Sequence, residues 1–381
     1  MPQRRILFSV GDDSGDLHAA NLMRAMRETE PGVRFAGFGM ARMAEAGLES
    51  LGADDTQDGA MWLRNIARLG RFRRRLALCR RFLDAERPDL VVPVDFGGFN
   101  LCLCKAASGR GIPVFYYIPP QVWAHGRYRL KKLSKWVTRA GLIYPFETDL
   151  YRRYGVEAQY VGHPLFDELA RNPPSERVVG ELGRRFGRNL IGIFPGSRRQ
   201  EVTAHLPEVI RSCRLIRSAV PDAAFGLLAG PQVTDLVAGA VENGGADLEV
   251  LEGVRPVELA RASRLCITKS GTITLELASQ GTPMVIFYRV SPLLAFLAYG
   301  LSETPYIGLV NVLAGRVICP EKATSRPCAD WIAEQALELL QNPGAYEACR
   351  RAVSKVMSGF AEPGASARAA RSALDLLGHS P

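Results

Sequence analysis

The sequence predicts an α/β protein made of two doubly wound units that face a cleft. Short apolar runs typical of buried strands alternate with segments of helical periodicity along most of its 381 residues. A polar stretch, 168–189, separates two series of this alternation. The chain is also too long for one ordinary core. We therefore expect an N-terminal domain over 1–170, a C-terminal domain over 171–360 and a terminal helix within 361–381.

Composition and charge narrow the functional classes. Hydrophobic residues make up 47% and charged residues 23% of the chain, as in water-soluble globular proteins. The N-terminal apolar run is too short for a signal peptide and no run approaches a membrane span, so we expect a cytoplasmic protein. The net charge of +9 calls for an anionic partner, and without a nucleic-acid-binding motif we expect anionic lipid or a phosphorylated substrate, not nucleic acid. The eight cysteines and five histidines show no metal-ligand spacing, so we expect neither a metal nor another cofactor.

The first predicted strand, 5–10, runs into a turn rich in glycine and acids before a helix begins. Ligands of α/β proteins gather at the carboxyl ends of such strands. The turn lacks a dinucleotide fingerprint, and its three acids suit hydroxyl groups better than phosphate. The candidate ligand-binding residues here are Gly11, Asp12, Ser14, Gly15 and Asp16. A second strand is predicted at 35–38, with a short helix after it.

The segment 61–81 contains eight arginines and no acid, interleaved with apolar residues at helical spacing. Such a helix has one apolar and one basic face, which is typical of helices that lie on anionic membranes. An ordinary surface helix packed on the core is the equally weighted alternative. The candidate membrane residues are Trp62, Arg71, Phe72, Arg73, Arg74 and Arg75.

Asp95 follows the apolar strand predicted at 89–94, so its carboxylate is expected to point toward a bound ligand. It is our candidate general base, with capping of the next helix as the alternative. The strand at 114–118 leads into a proline-stiffened loop that carries Gln121 and Trp123, with a second basic cluster after it. Further strands are predicted at 141–144 and 159–161.

Two turns of the second half suit a diphosphate. Gly196, Ser197 and Arg198 follow a strand at 190–194, where glycine permits close approach and arginine can pair with phosphate. A second strand, 265–268, leads into a helix N-terminus whose free N–H groups favour phosphate. Its candidate residues are Ser270, Gly271, Thr272 and Thr274, with Glu276 one turn further, within reach of a ribose. Capped turns without a ligand are the alternative.

Nine motifs in order along 6–321 resemble those of the lipid-A-disaccharide synthases, glycosyltransferases of the GT-B fold with two Rossmann-like domains. The motifs are Gly11 with Ser14-Gly15-Asp16; Asp95 with Phe99-Asn100; Pro120 with Val122-Trp123-Ala124; Pro145-Phe146-Glu147; Val161-Gly162-His163-Pro164-Leu165; Pro195-Gly196-Ser197-Arg198 with Glu201; Ser270-Gly271-Thr272 with Thr274-Leu275-Glu276; Pro283-Met284-Val285 with Tyr288-Arg289; and Asn311 with Leu313-Ala314-Gly315.

The resemblance implies transfer of a sugar from UDP-2,3-diacylglucosamine to the 6-hydroxyl of 2,3-diacylglucosamine 1-phosphate, with inversion and release of UDP. It implies Asp95 as the base, Arg198 at the diphosphate, and Asn311 among the donor-site residues. The turn 11–16, Gln121 and Trp123 then lie on the acceptor side. It also implies peripheral association with the inner face of the inner membrane and a last helix that packs back on the first domain. The oligomeric state stays open, with a homodimer as one option.

The first half departs from the family pattern, whereas the donor motifs of the second half are nearly intact. The departures are Asp12 for glutamate, Gly98 for aspartate, Pro119 for serine, His125 for tryptophan and Gly126 for arginine. A related UDP-sugar transferase with a different lipid or glycan acceptor therefore stays open. A non-catalytic nucleotide-sugar-binding module is the third alternative.

Overall fold

The computed structural model describes residues 3–52, 66–123, 126–244, 248–290 and 304–378. The chain forms two compact units. The first unit consists of Met1–Glu168 together with Glu362–Pro381, and the second of Leu169–Ala361. Trp62 and His125, which the sequence analysis singled out, lie outside the described residues.

The described strands of the first unit are all parallel. They are β1 (Arg5–Ser9), β2 (Arg34–Phe38), β3 (Leu48–Ser50), β4 (Leu90–Pro93), β5 (Phe115–Tyr117), β6 (Arg139–Leu142) and β7 (Ala158–Tyr160). The orders β3-β2-β1-β4 and β5-β6-β7 are joined by parallel bridges from β4 to the β5 segment, Val91 to Val114 and Val94 to Tyr117. The carboxyl ends of β1 and β4 therefore lie side by side.

Helices of the first unit form layers on this sheet. They are α1 (Asp13–Thr29), α2 (Ala41–Glu45), α3 (Ile66–Glu86), α4 (Gly97–Ser108), α5 (Leu130–Trp136) and α6 (Glu147–Arg153). Helix α7 (Leu165–Arg171) begins in the first unit and ends in the second. Side chains of α3, α4, α5 and α6 share one core with β1, β4, β5 and β6. No helix within the described ranges is long and apolar enough to cross a membrane.

The second unit repeats the design with a wider sheet. Its described strands are β8 (Leu190–Phe194), β9 (Ala224–Leu227), β10 (Leu248–Val250), β11 (Leu265–Lys269), β12 (Met284–Arg289) and β13 (Glu321–Thr324). They are parallel in the order β10-β9-β8-β11-β12-β13. Its helices are α8 (Glu176–Phe186), α9 (Arg199–Ala219), α10 (Thr234–Gly244), α11 (Pro256–Ala262), α12 (Ile273–Ser279), α13 (Leu309–Ala314), α14 (Ala329–Gln341) and α15 (Pro343–Ser358).

The polar stretch 168–189, which the sequence places between the two domains, is mostly helical. Ser175 caps α8 by accepting a hydrogen bond from the N–H of Val178, and Leu182 is buried on the inner face of the helix. On the outer face Arg177 pairs with Glu181 one turn away, 2.7 Å between the charged atoms. The polar composition is therefore that of a helix with a wide solvent face.

The last helix, α16 (Ala365–Gly378), packs on α1 within the first unit. The buried carboxylate of Asp167 accepts hydrogen bonds from the N–H groups of Gly364, Ala365 and Ser366 at 2.5, 2.9 and 2.8 Å. These groups have no partner inside a helix, so one carboxylate supplies the cap. Arg368 adds a bond from Nε to the carbonyl oxygen of Val161, at 2.8 Å. The end of the chain thus completes the first unit.

Candidate active site

The turn after β4 holds Asp95 in an unusual backbone conformation. Asp95 and Phe96 both have φ of +48°, in the left-handed region that non-glycine residues seldom adopt. Asn100 and Tyr116 each donate a side-chain hydrogen bond to the Asp95 carbonyl oxygen, both at 2.8 Å. The N–H of Asp95 in turn bonds to the carbonyl of Tyr117 at 3.2 Å. Such strain persists where surrounding contacts over-determine it, which is typical of active sites.

Two effects raise the pKa of the Asp95 carboxyl above its ordinary value. Burial and, second, the nearby charge of Asp12 raise its pKa to about 6, while the N–H of Phe96 opposes the shift. A base with a pKa near neutrality combines an ionised resting form with useful basicity. The helix that follows is capped by Phe96 without a side-chain bond, so Asp95 does not cap α4.

Two aspartates of the acidic turn after β1 have different roles. Asp12 caps α1, its Oδ1 accepting from the N–H of Gly15 at 2.8 Å and the hydroxyl of Ser14 at 3.0 Å. Asp16 is buried, and its carboxylate instead accepts the N–H groups at the start of α2, from Met40 at 2.6 Å and from Arg42 at 3.0 Å. Because a buried carboxylate requires such donors, Asp16 anchors α2. This differs from its expected contact with ligand hydroxyls.

Gly11 allows the two strand ends to meet. A Cβ atom at this position would lie 2.1 Å from the ring of Phe96, so only glycine fits. The Phe96 ring also stacks on Phe99 at a centroid distance of 5.9 Å and leaves 38% of the residue exposed. Sequence reasoning missed Phe96, because its contact with Gly11 joins segments 85 positions apart.

The loop after β5 places Gln121 in solvent and buries Trp123. The Trp123 ring lies edge-on to Phe146 at 5.2 Å and to Tyr144 at 5.9 Å. Burial raises the pKa of the adjacent Glu147 to about 8, and the hydrogen bond that its carboxylate accepts from the N–H of Tyr144 opposes the shift. Trp123 therefore belongs to a buried aromatic wall, and Gln121 is the more accessible of the two predicted residues.

Helix α3 divides the predicted membrane residues between two faces. Arg71, Arg73 and Arg74 are exposed on its outer face. Phe72 instead packs edge-on against Phe99 at 5.2 Å, and Arg75 turns inward to donate from Nη2 to a buried carbonyl. The helical period places both on the side that faces the sheet. The assignment of Phe72 and Arg75 to a membrane surface is thus corrected.

The first predicted phosphate turn, after β8, is open to solvent. Gly196 has φ of +132°, and a Cβ there would lie 2.9 Å from Oε2 of Glu201. Arg198 is 70% exposed, with Nη1 3.6 Å from Oε1 of the buried Glu201. Ser197 is exposed and does not cap α9, which begins without a side-chain cap. The arginine is therefore accessible to an anion in solvent.

The carboxylate of Glu201 links the second turn, after β11, to the first turn. Lys269 places its ammonium 3.4 Å from Oε1 of Glu201, beside Gly271, whose φ is +148°. The Ser270 hydroxyl donates to the carbonyl of Ile307, and the Thr274 hydroxyl to Gly271 at 2.8 Å. Two cations thus share one carboxylate, which leaves a net positive charge at the paired turns. Neither Lys269 nor the linking role of Glu201 was foreseen from the sequence.

The remaining donor candidates differ in accessibility. Thr272 is exposed at the start of α12, and burial raises the pKa of Glu276, one turn later, to about 7. Asn311 is fully buried. It donates to the carbonyl of Cys319 at 2.8 Å and accepts from the N–H groups of Ile318 and Cys319 at 2.9 and 3.0 Å. Its amide therefore holds this loop, which corrects the expected direct contact with the donor.

A buried histidine ties the ends of two strands together. Nδ1 of His205 donates to the carbonyl of Pro195 at 2.7 Å, and Nε2 accepts the N–H of Arg289 at 3.1 Å. Burial, the largest effect, lowers the pKa of His205, consistent with this neutral form. Arg289 also pairs with Glu208 at 3.0 Å. In the sequence, the only signal for this role of His205 is its position four residues after Glu201, on the same helix face.

Solved structures of glycosyltransferases and of UDP-N-acetylglucosamine 2-epimerases share this fold at low sequence identity, so the protein has the GT-B fold. The Staphylococcus aureus MnaA–UDP co-structure matches with a TM-score of 0.66 and 15% identity, covering 99% of each chain. The calicheamicin glycosyltransferase CalG4 matches with a TM-score of 0.57 and 18% identity, covering 100% of each chain. The GT-B prediction is therefore confirmed.

The chain belongs to the lipid-A-disaccharide synthase family. The family model described as lipid-A-disaccharide synthetase matches residues 6–369. The enzyme of that name from Geobacter sulfurreducens is 35% identical over 376 residues, which is 98% of this chain and 97% of the relative. That of Coxiella burnetii strain CbuK_Q154 is 31% identical over 343 residues, which is 90% of each. The family predicted from the motifs is confirmed, and with it an enzyme that transfers a glycosyl group.

Proposed function

We propose that the protein joins UDP-2,3-diacylglucosamine to 2,3-diacylglucosamine 1-phosphate, giving lipid A disaccharide 1-phosphate and UDP. The family match over 6–369 carries this proposal. The geometry supports it, because a tuned carboxylate lies at a strand end of one unit and a cationic pair of turns at strand ends of the other.

On the acceptor side, Asp95 is the general base. Its ionised carboxylate takes the proton of the acceptor's 6-hydroxyl while that oxygen attacks the anomeric carbon of the donor. The anomeric C–O bond to phosphate breaks, and UDP leaves with the electron pair. Attack opposite the leaving group inverts the anomeric centre. Asp12, Ser14 and Gln121 surround the acceptor hydroxyls in this scheme.

On the donor side, the two phosphate turns receive the UDP. Arg198 swings from Glu201 onto the diphosphate, where a charge-assisted hydrogen bond strengthens as the leaving group gains negative charge. Backbone N–H groups of Gly196, Ser197, Gly271 and Thr272 complete the cradle. Glu276 accepts a hydrogen bond from a ribose hydroxyl.

A different lipid or glycan acceptor is the second candidate, because Asp12, Gly98 and Pro119 depart from the family pattern in the first unit only. One assay separates the two. Purified protein is given both diacylated substrates, UDP release is followed, and the product is weighed by mass spectrometry. We expect stoichiometric UDP and a tetraacylated disaccharide phosphate. Donor binding without UDP release would contradict the proposed acceptor.

We also propose that the first unit docks on an anionic membrane surface. Helices α3, α4 and α5 lie on one face of the sheet and share one core. Among their exposed cations are Arg71, Arg73, Arg74, Lys105, Lys131, Lys132 and Lys135. Tyr128, just before α5, is 63% exposed beside Arg129 and Lys132, the composition of an interfacial anchor. This supports peripheral association at the cytoplasmic face of the inner membrane.

Changing Arg71, Arg73 and Arg74 together to glutamine should weaken binding to vesicles rich in phosphatidylglycerol. Each lost charge near the surface removes about 1 kcal/mol, so partitioning should fall by roughly two orders of magnitude at low salt. Co-sedimentation measures it. The control replaces Arg184, Arg188 and Arg214, exposed in the second unit, by glutamine. Equal losses in both triple variants would point to net charge alone and contradict a local surface.

A further inference from the structure

We propose that Arg75 is a positioning residue for the catalytic turn, acting through the ring of Phe96. This inference rests on the proposed role of Asp95 as the base. The sequence pattern places Arg75 among solvent-facing arginines, but its side chain points toward the core of the first unit.

The guanidinium of Arg75 reaches the point where β1 and β4 end. Its Nη2 donates to the carbonyl oxygen of Val10 at 2.6 Å, directly before the turn at Gly11. Its central carbon lies 4.4 Å from the ring centroid of Phe38, 5.0 Å from that of Phe99 and 5.8 Å from that of Phe96. An arginine from α3 thus completes an aromatic cage beside the acidic turn.

The turn is held differently on its two sides. On the inner side, Asn100 and Tyr116 bind the Asp95 carbonyl. On the outer side, the ring of Phe96 lies against Gly11 and stacks on Phe99. Left-handed backbone at a non-glycine residue costs about 1–3 kcal/mol, so both sides are needed to keep this conformation. Arg75 supports the outer side.

Arginine suits this place for a specific reason. Its flat guanidinium stacks on aromatic faces and still donates in its own plane, whereas the ammonium of lysine is a hydrated point charge. Arg75→Lys therefore keeps a positive charge at this position but loses the stacking and the geometry of the bond to Val10. Charge and positioning can in this way be tested separately.

Kinetics in detergent solution, which removes the membrane, test the proposal. Arg75→Lys should lower kcat by about 10- to 100-fold with the donor KM unchanged, since small displacements of a catalytic group cost that much. Arg81→Lys, exposed on the same helix, is the matched control and should leave kcat unchanged. A wild-type kcat in Arg75→Lys would overturn the proposal.

A double-mutant cycle checks the route through the ring. Phe96→Leu and Arg75→Lys should each lower kcat, and the double variant should be little worse than the poorer single variant. Multiplicative losses would show that the two side chains act independently and would overturn the proposal.

An activity-free measurement separates this proposal from the proposed reaction. The side-chain carboxyl carbon of Asp95, identified in a ¹³C-Asp-labelled protein by its absence from Asp95→Asn, should titrate at about 6 in the wild type. In Arg75→Lys it should titrate closer to the ordinary aspartate value, because the displaced turn is less buried. An unchanged titration would overturn the positioning role, whereas a wild-type enzyme that releases no UDP would overturn only the reaction.

Discussion

Asp95→Asn is expected to lower kcat by about 10³-fold, because general-base catalysis contributes roughly 10²–10⁴-fold and the amide cannot accept the proton. The substitution keeps the size and hydrogen-bonding shape of the side chain in a turn that tolerates little change. UDP release in the two-substrate assay measures the effect. A variant with wild-type turnover would exclude Asp95 as the base.

Binding and stability controls show whether the loss is chemical. UDP binding by calorimetry should be unchanged, since the nucleotide turns belong to the other unit. Burial raises the pKa of Asp95 to about 6, so ionising this carboxyl costs the folded protein stability. The cost grows as the pH rises from about 4 to about 6 and is complete above pH 6. The neutral asparagine avoids this cost, and the variant should unfold at an equal or higher urea concentration in mildly alkaline buffer. Unfolding at a lower urea concentration would mean that the loss of kcat comes from a damaged fold and not from the missing base.

The pH dependence of the rate tests the same assignment of Asp95 as the general base. The base must be ionised, so kcat/KM, which reports the free enzyme, should rise with pH through about 6 and then level off. Asp12 contributes to the raised pKa by like-charge repulsion, and Asp12→Asn keeps an oxygen to cap α1. The variant should therefore shift the rise toward lower pH. A profile unaffected by Asp12→Asn would mean that another group sets the rise.

Arg198→Ala is expected to reduce kcat/KM for the donor by about 10²–10³-fold, the effect of removing one preorganised contact to a leaving group. UDP affinity should fall by roughly 10- to 100-fold, since a charged hydrogen bond contributes about 1.5–3 kcal/mol. Calorimetry measures the Kd values of UDP and uridine for the variant and the wild type. Comparing the two ligands shows whether the lost affinity belongs to the diphosphate or to the nucleoside.

The neighbouring Arg199 provides the matched control. It is exposed and follows Arg198 directly, so Arg199→Ala changes the net charge equally. We expect it to bind UDP as the wild type does. For Arg198→Ala, uridine should bind normally while UDP binds weakly. Equal losses for uridine and UDP would place Arg198 at the nucleoside or in the fold of the turn.

The sequence by itself determined the parts that depend on local pattern. Apolar runs predict the strands, and a parallel strand delivers the residue after it to the ligand-binding edge, which is why Asp95, Arg198 and Ser270 could be named in advance. The ordered motifs predict the family that the comparisons confirm. The two units divide at the start of the polar stretch 168–189. Its helical content was not predicted, because polar composition does not distinguish a loop from a solvent-covered helix such as α8.

Tertiary structure decided what each polar side chain does at those edges. Asp16 and Arg75 look like ligand and membrane residues in the sequence, yet one holds α2 and the other fills an aromatic cage. The side-chain amide of Asn311 is hydrogen-bonded within its own loop, and the carboxylate of Glu201 is shared between two cations. The physical reason is that a buried charge or amide takes whichever partner the packing brings near, and for Asp16 and Arg75 those partners lie tens of residues away in the chain.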